Sequence, residues 1–497
     1  MAHKPTKEQE AIYHYIGKRS ENVVIKAYAG TGKSTTIVEA VKLIPNDKKI
    51  LFLAFNKHIQ EELKEKLPEY VRCSTTYAIG VSAIHRKYPK IKMDEFKIDK
   101  IISKKAKSWG LESEFKVHDD YTTYISDLKK MVNFCRLTLT TKAEYIPYLM
   151  DRHDINLRKK EDIKRILKIL DAATIDRATY DFTDMIFLPA IDNSIWFFPQ
   201  DYVFVDEAQD MNRCQIKIIE KCLKRDRVTK KILGRLISVG DKFQNIYGFN
   251  CSDDKAFEWF ENYQNSVVLP LSYSFRCPHA VIRLANEIVP DIKALESAIG
   301  GIVREGDVLT ESQSGDLILC RTTTPLIKLF FHFLVNHKKA YIRGNDIGIR
   351  LIELIGSCQT LPDLKNHWDR ELKKYQNDLY SKGILNPRDH SGFVALEDKV
   401  TTLLFIGGMS KSIENLKTKI QHIFSDEHGE GIILSTIHKA KGSESKRVFI
   451  VRPDLIPLPN SRGWQYGQEM NLKYVAITRA KEELIFDKNW TDEEDTE

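Results

Sequence analysis

Short, uninterrupted apolar runs recur along the 497 residues, and most end at a polar residue. They are VVIKAYA (23–29), ILFLAF (50–55), YVFVDEA (202–208), LISVGD (236–241), DLILCR (316–321), GIILST (431–436) and RVFIV (447–451). Continuous rather than alternating hydrophobicity predicts strands buried on both faces, as in parallel sheets. Helical periodicity separates the runs. Two stretches break the alternation. Residues 82–180 are Lys-rich and helical, with Ile163, Ile166, Leu167, Leu170 and Ala173 on one apolar face. Residues 346–428 are also mostly helical, with Trp368 and Leu372 in a charged context. The pattern predicts an α/β protein with two parallel-sheet cores, each carrying a mostly helical insertion. The first core is expected at 1–81 and 181–268, with its insertion at 82–180. The second is expected at 269–345 and 429–490, with a smaller insertion at 346–428. An acidic tail follows at 491–497.

Apolar content of 42% and charged content of 29% are those of an ordinary globular protein. A net charge of +7 admits a polyanionic partner without requiring one. Eight cysteines include no C-x-x-C pair and no accompanying His cluster, which predicts reduced thiols rather than zinc or iron–sulfur ligands. The N-terminus MAHKPTKEQE has no apolar signal core, and no apolar run reaches membrane-spanning length. The expected compartment is the cytoplasm, in association with the nucleoid, or the nucleus of a eukaryotic source.

Open parallel sheets bind ligands at the carboxyl ends of their strands. Ala27-Tyr28-Ala29-Gly30-Thr31-Gly32-Lys33-Ser34-Thr35 stands where such a strand gives way to a helix. Gly30 and Gly32 let backbone N–H groups converge on phosphate oxygens, and the helix adds its positive end. Lys33 suits the β- and γ-phosphates, and Ser34 suits Mg²⁺. The first position is Ala27 where the general pattern has Gly. Asp206 and Glu207 end another strand. Asp206 is expected to hold Mg²⁺ through water, and Glu207 to orient or deprotonate the attacking water. A lone DE pair after a strand is as often a helix cap. Its pairing with the phosphate loop favours the catalytic reading.

These residues resemble the motifs of superfamily 1 helicases of the UvrD/Rep type, in a small, phage- or virus-like form. The resemblance runs from Thr6 to Leu484. PTKEQ (5–9) resembles the adenine-reading motif, LFLAFNKHIQEEL (51–63) motif Ia, and CSTTYA (73–78) the single-strand contact that follows it. DFTDMI (181–186) precedes the second-motif strand, and VDEAQD (205–210) is similar to motif II. VGDKFQNIYGF (239–249) resembles motif III, and YSFRCP (273–278) motif IV. STIHKAKGSESKRVFIV (435–451) and YVAITRAKEEL (474–484) are similar to motifs V and VI. Each is weak alone, and together, in order, they are specific.

The resemblance implies two RecA-like P-loop cores and ATP with Mg²⁺ as cofactors. It makes Gln9 the adenine reader, Glu444 a ribose contact and Gln244 a γ-phosphate sensor. Arg276 and Arg479 become arginine fingers reaching the nucleotide from the second core, with surface salt bridging as the alternative for each. Phe55, Tyr247 and Phe249 occupy positions for base or backbone contact, and Asn56, Thr75 and His438 for phosphates. Core packing is the alternative for the aromatic residues. Lys159, Lys160, Lys164 and Lys168 could face DNA, although a solvated helix face is the commoner reason for such spacing.

The function implied is an ATP-dependent helicase or translocase moving 3′→5′ on single-stranded DNA. The polarity follows from IYGF after GDKFQ. Its partners are single-stranded DNA, single-strand/duplex junctions and replication or repair proteins. No membrane partner is expected, and the expected state is a monomer. The small second insertion and short tail leave no room for a fused nuclease and imply weaker duplex separation or a helper protein. Three rivals stay open: a translocase that strips proteins without unwinding, a nucleotide-switched DNA-binding module, and an RNA substrate in place of DNA. Against the switch, Asn56-Lys57 is followed by His58-Ile59, so the guanine-reading N-K-x-D is absent.

Overall fold

The computed structural model describes residues 4–115, 118–153, 155, 157, 160–246, 248, 255–381, 384, 386–424, 430–459 and 461–488. The chain divides into two units. Unit 1 comprises residues up to Ala27 and Gly32–Leu271. Unit 2 comprises the residues from Ser272 onward together with the short segment Tyr28–Thr31.

Unit 1 is built on six strands: β1 (Asn22–Ala27), β2 (Ile50–Ala54), β3 (Val71–Thr75), β4 (Tyr202–Val205), β5 (Arg235–Gly240) and β6 (Ser266–Leu271). Their order is β3-β2-β4-β5-β1-β6, and every neighbouring pair is parallel. Strand periodicity explains the continuous apolar runs. Ile50, Phe52 and Ala54 of β2 pack into a cluster with Ile12, Ile25 and Phe204. The alternate residues Leu51 and Leu53 pack on the opposite face with Val203, Val205 and Leu236. Both faces are therefore dry.

The helices that position the site are α1 (Lys7–Lys18), α2 (Lys33–Val41), α3 (Lys57–Lys66) and α4 (Thr76–Lys87). The Lys-rich stretch folds as α5 (Lys97–Trp109), α6 (His118–Leu137), α7 (Ile146–Arg152) and α8 (Lys160–Ile175). On α8, Ile166, Leu170 and Ala173 are buried, with Ile163 and Leu167 packed beside them. This apolar face belongs to the same cluster as one face of the sheet. Buried charge adds a second tie. Arg136 on α6 donates to Asp181 at 2.6 and 2.8 Å and to Asp184 at 2.5 Å. Lys97 on α5 reaches Asp184 at 2.8 Å. DFTDMI thus supplies the two carboxylates that satisfy both cations. Of the lysines considered for DNA, Lys164 pairs with Glu161 at 3.1 Å and Lys168 lies 5.9 Å from the centre of the Trp109 ring. Lys159 is outside the described residues.

Unit 2 repeats the plan. Its strands are β7 (Ile302–Glu305), β8 (Leu317–Cys320), β9 (Ala340–Ile342), β10 (Ile432–Thr436), β11 (Ser445–Val451) and β12 (Ala480–Asp487), in the order β7-β12-β11-β8-β10-β9, all parallel. Four helices, Asn345–Ile355, Leu361–Ser381, Ser391–Gly408 and Ile413–Ile423, fill the second interruption. Their apolar faces join the cluster around Ile318, Leu434 and Phe449, and Trp368 donates its indole N–H to the Leu354 carbonyl at 3.0 Å.

The seven described cysteines are free thiols, six of them buried, and Cys251 lies outside the described residues. Among the described residues, no helix is long and apolar enough to cross a membrane.

Candidate functional site

In unit 1 the site begins where β1 gives way to α2. Gly32 caps α2 at φ +76°, a left-handed conformation open chiefly to glycine. No side chain caps this helix, so its first amides stay available for an anion. Ser34 and Thr35 are exposed in its first turn. Lys33 reaches Glu207, with its Nζ 3.2 Å from each carboxylate oxygen. Glu207 itself has φ +49°, an uncommon conformation for a residue with a side chain. Such strain costs on the order of 1–3 kcal/mol and tends to mark functional positions. Asp206, which precedes it, is 2% exposed and accepts the Glu207 N–H through Oδ1 at 2.9 Å.

Gln209 joins this pair to the loop after β5. Its Nε2 donates to Glu207 Oε2 at 2.5 Å, and its Oε1 accepts the Asp241 N–H at 3.0 Å. Its carbonyl accepts from Asn245 Nδ2 at 2.9 Å. Gly240 makes room for it, since a Cβ there would stand 2.4 Å from Gln209 Oε1. Gln244 Nε2 donates to Asp241 Oδ2 at 2.8 Å. Burial raises the Asp241 pKa to about 6, helped by the Glu207 charge and opposed by Lys33 and by the hydrogen bonds from Gln244 and Phe243. Neither Gln209 nor Asp241 carries a role in the sequence reading. The rule that singled out Asp206 and Glu207, a polar residue at the carboxyl end of a buried strand, applies equally to Asp241. Gln209 had no comparable signal, because its partners come from another segment.

The remaining sites expected in unit 1 have local structural duties. Gln9 completes the capping box of α1 with Thr6, and its Nε2 donates to Thr36 Oγ1 at 3.0 Å. Asn56 caps α3 by accepting the Ile59 N–H at 2.9 Å, and Thr75 caps α4 by accepting the Ala78 N–H at 3.2 Å. Phe55 is half-buried and packs against the core. Ala27 is buried as the last residue of β1. Tyr247 and Phe249 lie outside the described residues.

Unit 2 has its own charged cluster. Arg276 Nε donates to Glu444 Oε2 at 2.5 Å, and Lys481 pairs with the other Glu444 oxygen. Burial works against the Glu444 charge, but Lys481 and Arg276 outweigh it and lower its pKa. Arg479 is 1% exposed. It donates to the carbonyls of Val475 (2.8 Å) and Ser443 (3.1 Å) and to Thr478 Oγ1 (3.1 Å). Burial and the neighbouring Arg276 lower its pKa to about 10. Arg276 is thus ion-paired and largely shielded, and Arg479 is no surface residue. Two cations share the Glu444 carboxylate while Arg479 stands near them, and an anion would balance the excess. His438 is half-buried, and desolvation, with Arg321 and Lys439 nearby, lowers its pKa to about 3, so it is neutral. The segment Tyr28–Thr31 is held within unit 2. Tyr28 donates to Asp291 at 2.9 Å, Ala29 N–H to the Tyr474 hydroxyl at 2.9 Å, and Phe275 N–H to the Gly30 carbonyl at 2.8 Å. Thr31 is buried and donates to the Tyr28 carbonyl. Gly30 has φ +71°, and a Cβ there would meet Arg276 Cβ at 2.6 Å.

The family model for the UvrD/REP helicase N-terminal domain matches residues 6–265, and that for the UvrD-like helicase C-terminal domain matches residues 405–490. The chain belongs to the UvrD/REP helicase family. Over 98% of its length it is 25% identical to F-box DNA helicase protein 1 of Schizosaccharomyces pombe, covering 58% of that protein. It is likewise 25% identical to F-box DNA helicase 1 of Gallus gallus, covering 49% of it. A shorter match, 33% identical over 18% of this chain and 11% of the relative, is to ATP-dependent DNA helicase PcrA of Bacillus subtilis. The UvrD-type chain thus spans about half the length of the F-box relatives.

Proposed function

We propose that this chain is an ATP-dependent DNA helicase that moves 3′→5′ along single-stranded DNA and separates the duplex ahead. The observation that carries this reading is the Lys33–Glu207 pair beside the uncapped start of α2. A triphosphate entering there competes with Glu207 for Lys33, so Lys33 turns to the β- and γ-phosphates. Glu207, still held by Gln209, then orients the attacking water. Arg276 and Arg479 add positive charge for the developing phosphoryl transition state. Gln244 senses the γ-phosphate from a loop that leads in sequence to Tyr247 and Phe249. Phe55 and those two aromatic residues stack on bases, while Asn56, Thr75 and His438 contact phosphates. Gln9 and Glu444 would need to share their present hydrogen bonds to contact adenine and ribose.

Magnesium suits the donors of unit 1. Ser34 offers one hydroxyl and Asp206 one carboxylate. No group of three or more His, Cys, Asp or Glu stands together among the described residues to make an all-protein cage. That matches an ion that keeps water and phosphate oxygens as most of its ligands. When bound, it supplies charge neutralisation on the triphosphate.

The expected partners are single-stranded DNA and single-strand/duplex junctions, with replication or repair proteins beyond them. Labelled duplexes with a 3′ or a 5′ overhang test the reading. Strand release from the 3′-overhang substrate alone, dependent on ATP and Mg²⁺, supports it. Release from neither, with ATP hydrolysis indifferent to DNA, overturns it. DNA-stimulated hydrolysis that displaces a bound protein from single strands but releases no duplex strand would replace unwinding by translocation.

A further inference from the structure

The strands of unit 1 also present a charged surface at their amino ends, opposite the nucleotide edge. Helix α4 starts at the carboxyl end of β3, and its last turn holds His85, Arg86 and Lys87. The Arg86 guanidinium lies 4.8 Å from the centre of the Trp196 ring and 4.7 Å from that of Phe198. The two rings meet edge to face at 5.1 Å, and they are 51% and 48% exposed. Arg86 donates to Ser82 Oγ and to the Trp196 carbonyl, while its Nε is buried with no acceptor. Arg72, exposed on β3, lines the same shallow hollow over Leu51 and Ile79. Burial and the nearness of Arg72 both lower the Arg86 pKa. Among the described residues, neither arginine has a carboxylate partner, nor do Lys87, Lys90 or Lys92 just beyond.

Uncompensated cations seek an anion, and half-exposed rings locked beside an arginine offer a stacking face. Single-stranded nucleic acid combines both needs, phosphates for the arginines and bases for the ring. The hollow is too shallow to enclose a small molecule, so the surface is a platform rather than a pocket. We propose that Arg72, Arg86 and Trp196 form a second contact for single-stranded DNA, at the amino ends of the strands. Arg72 lies three residues before Thr75 on β3, about 10 Å along the strand. The second contact is therefore separate from Phe55, Asn56 and Thr75 at the carboxyl ends. The proposal rests on the DNA-motor reading only in taking DNA as the partner.

The test uses the full chain and oligothymidylate, with affinity followed by fluorescence anisotropy across a salt series. Removing one phosphate contact lowers the slope of log K against log salt by about 0.7 for single strands. Arg72→Ala, an exposed side chain without a partner, should therefore flatten the slope by about 0.7, and Arg72→Ala with Arg86→Ala by about 1.4. Arg72→Lys should keep it. Trp196→Ala should weaken binding by about 5- to 150-fold, the worth of one stacked base. Oligothymidylate should quench an emission present in the wild type and missing from Trp196→Phe. ATP hydrolysis without DNA should be unchanged in all of these. Unaltered slopes and affinities in variants that still bind oligothymidylate overturn this proposal alone. A wild-type chain that binds no oligothymidylate overturns the motor reading with it. Displacement of oligothymidylate from Trp196 by polyglutamate, with unchanged salt slopes, would reassign the platform to an acidic protein segment.

Discussion

Glu207 adopts a backbone conformation that side chains seldom occupy, and Lys33 and Gln209 hold its carboxylate. That arrangement has consequences at single residues. Lys33→Ala removes the cation for the phosphates and should abolish ATP hydrolysis; retained turnover in a phosphate-release assay would mean the loop is misassigned. Glu207→Gln keeps the shape but loses the base. It should bind ATP and hydrolyse it at least ~10²-fold more slowly, the usual scale of general-base losses. A normal rate would remove Glu207 from the chemistry.

Asp241 makes the neighbourhood pH-sensitive. Its folded pKa of about 6 lies above the ordinary carboxylate value, so it is neutral below pH 6 and charged above. The folded state then binds more protons than the unfolded chain between about pH 4 and 6. The stability Asp241 contributes is complete below its unfolded pKa and is lost as pH rises through 6. Asp241→Asn cannot titrate, so the gap between melting temperatures at pH 5 and pH 8 should shift in favour of pH 8. An unchanged gap would show that the group titrates elsewhere.

Among elements, the helical insertion after α4 is joined to the sheet both by an apolar face and by the Arg136–Asp181–Asp184–Lys97 cluster. Removing one partner of a buried ionic group typically costs 3–5 kcal/mol, because the others are left uncompensated. Arg136→Met should therefore lower the stability of unit 1 by roughly that amount in urea unfolding. A loss below about 1 kcal/mol would mean that Lys97 alone satisfies both carboxylates.

The elements also show what the sequence concealed. The seven apolar runs became β1, β2, β4, β5, β8, β10 and β11, while the other five strands of the two six-stranded sheets escaped notice. β3, β7 and β9 are edge strands, β6 is an edge strand that contains Pro270, and β12 opens with Ala480-Lys481-Glu482-Glu483. A strand partly facing water lacks the continuous apolar signature of a buried one. Asn56 and Thr75, expected to contact phosphates, also cap α3 and α4, a duty the sequence reading did not assign them. A polar residue after a strand is also what a helix needs for its cap.

At the scale of the whole molecule, the proposed motor requires that hydrolysis answer to nucleic acid. The loop 241–245 touches Gln209 through both Asp241 and Asn245 and leads in sequence to Tyr247. Tyr247→Ala should keep basal ATP hydrolysis and lose its stimulation by single-stranded DNA. Full stimulation would return Tyr247 to a packing role.

The sequence by itself determined the α/β class, the two parallel sheets, the helical interruptions and the order of the motifs. All of these follow from local periodicity and from residues adjacent in the chain. Tertiary structure alone decided that Glu207 faces Lys33, 174 positions away, that Gln209 reaches the Asp241 amide, and that Arg479 is buried against the Ser443 carbonyl. Hydrogen bonds and desolvation depend on distance in space, and a chain read in one dimension records only neighbours in sequence.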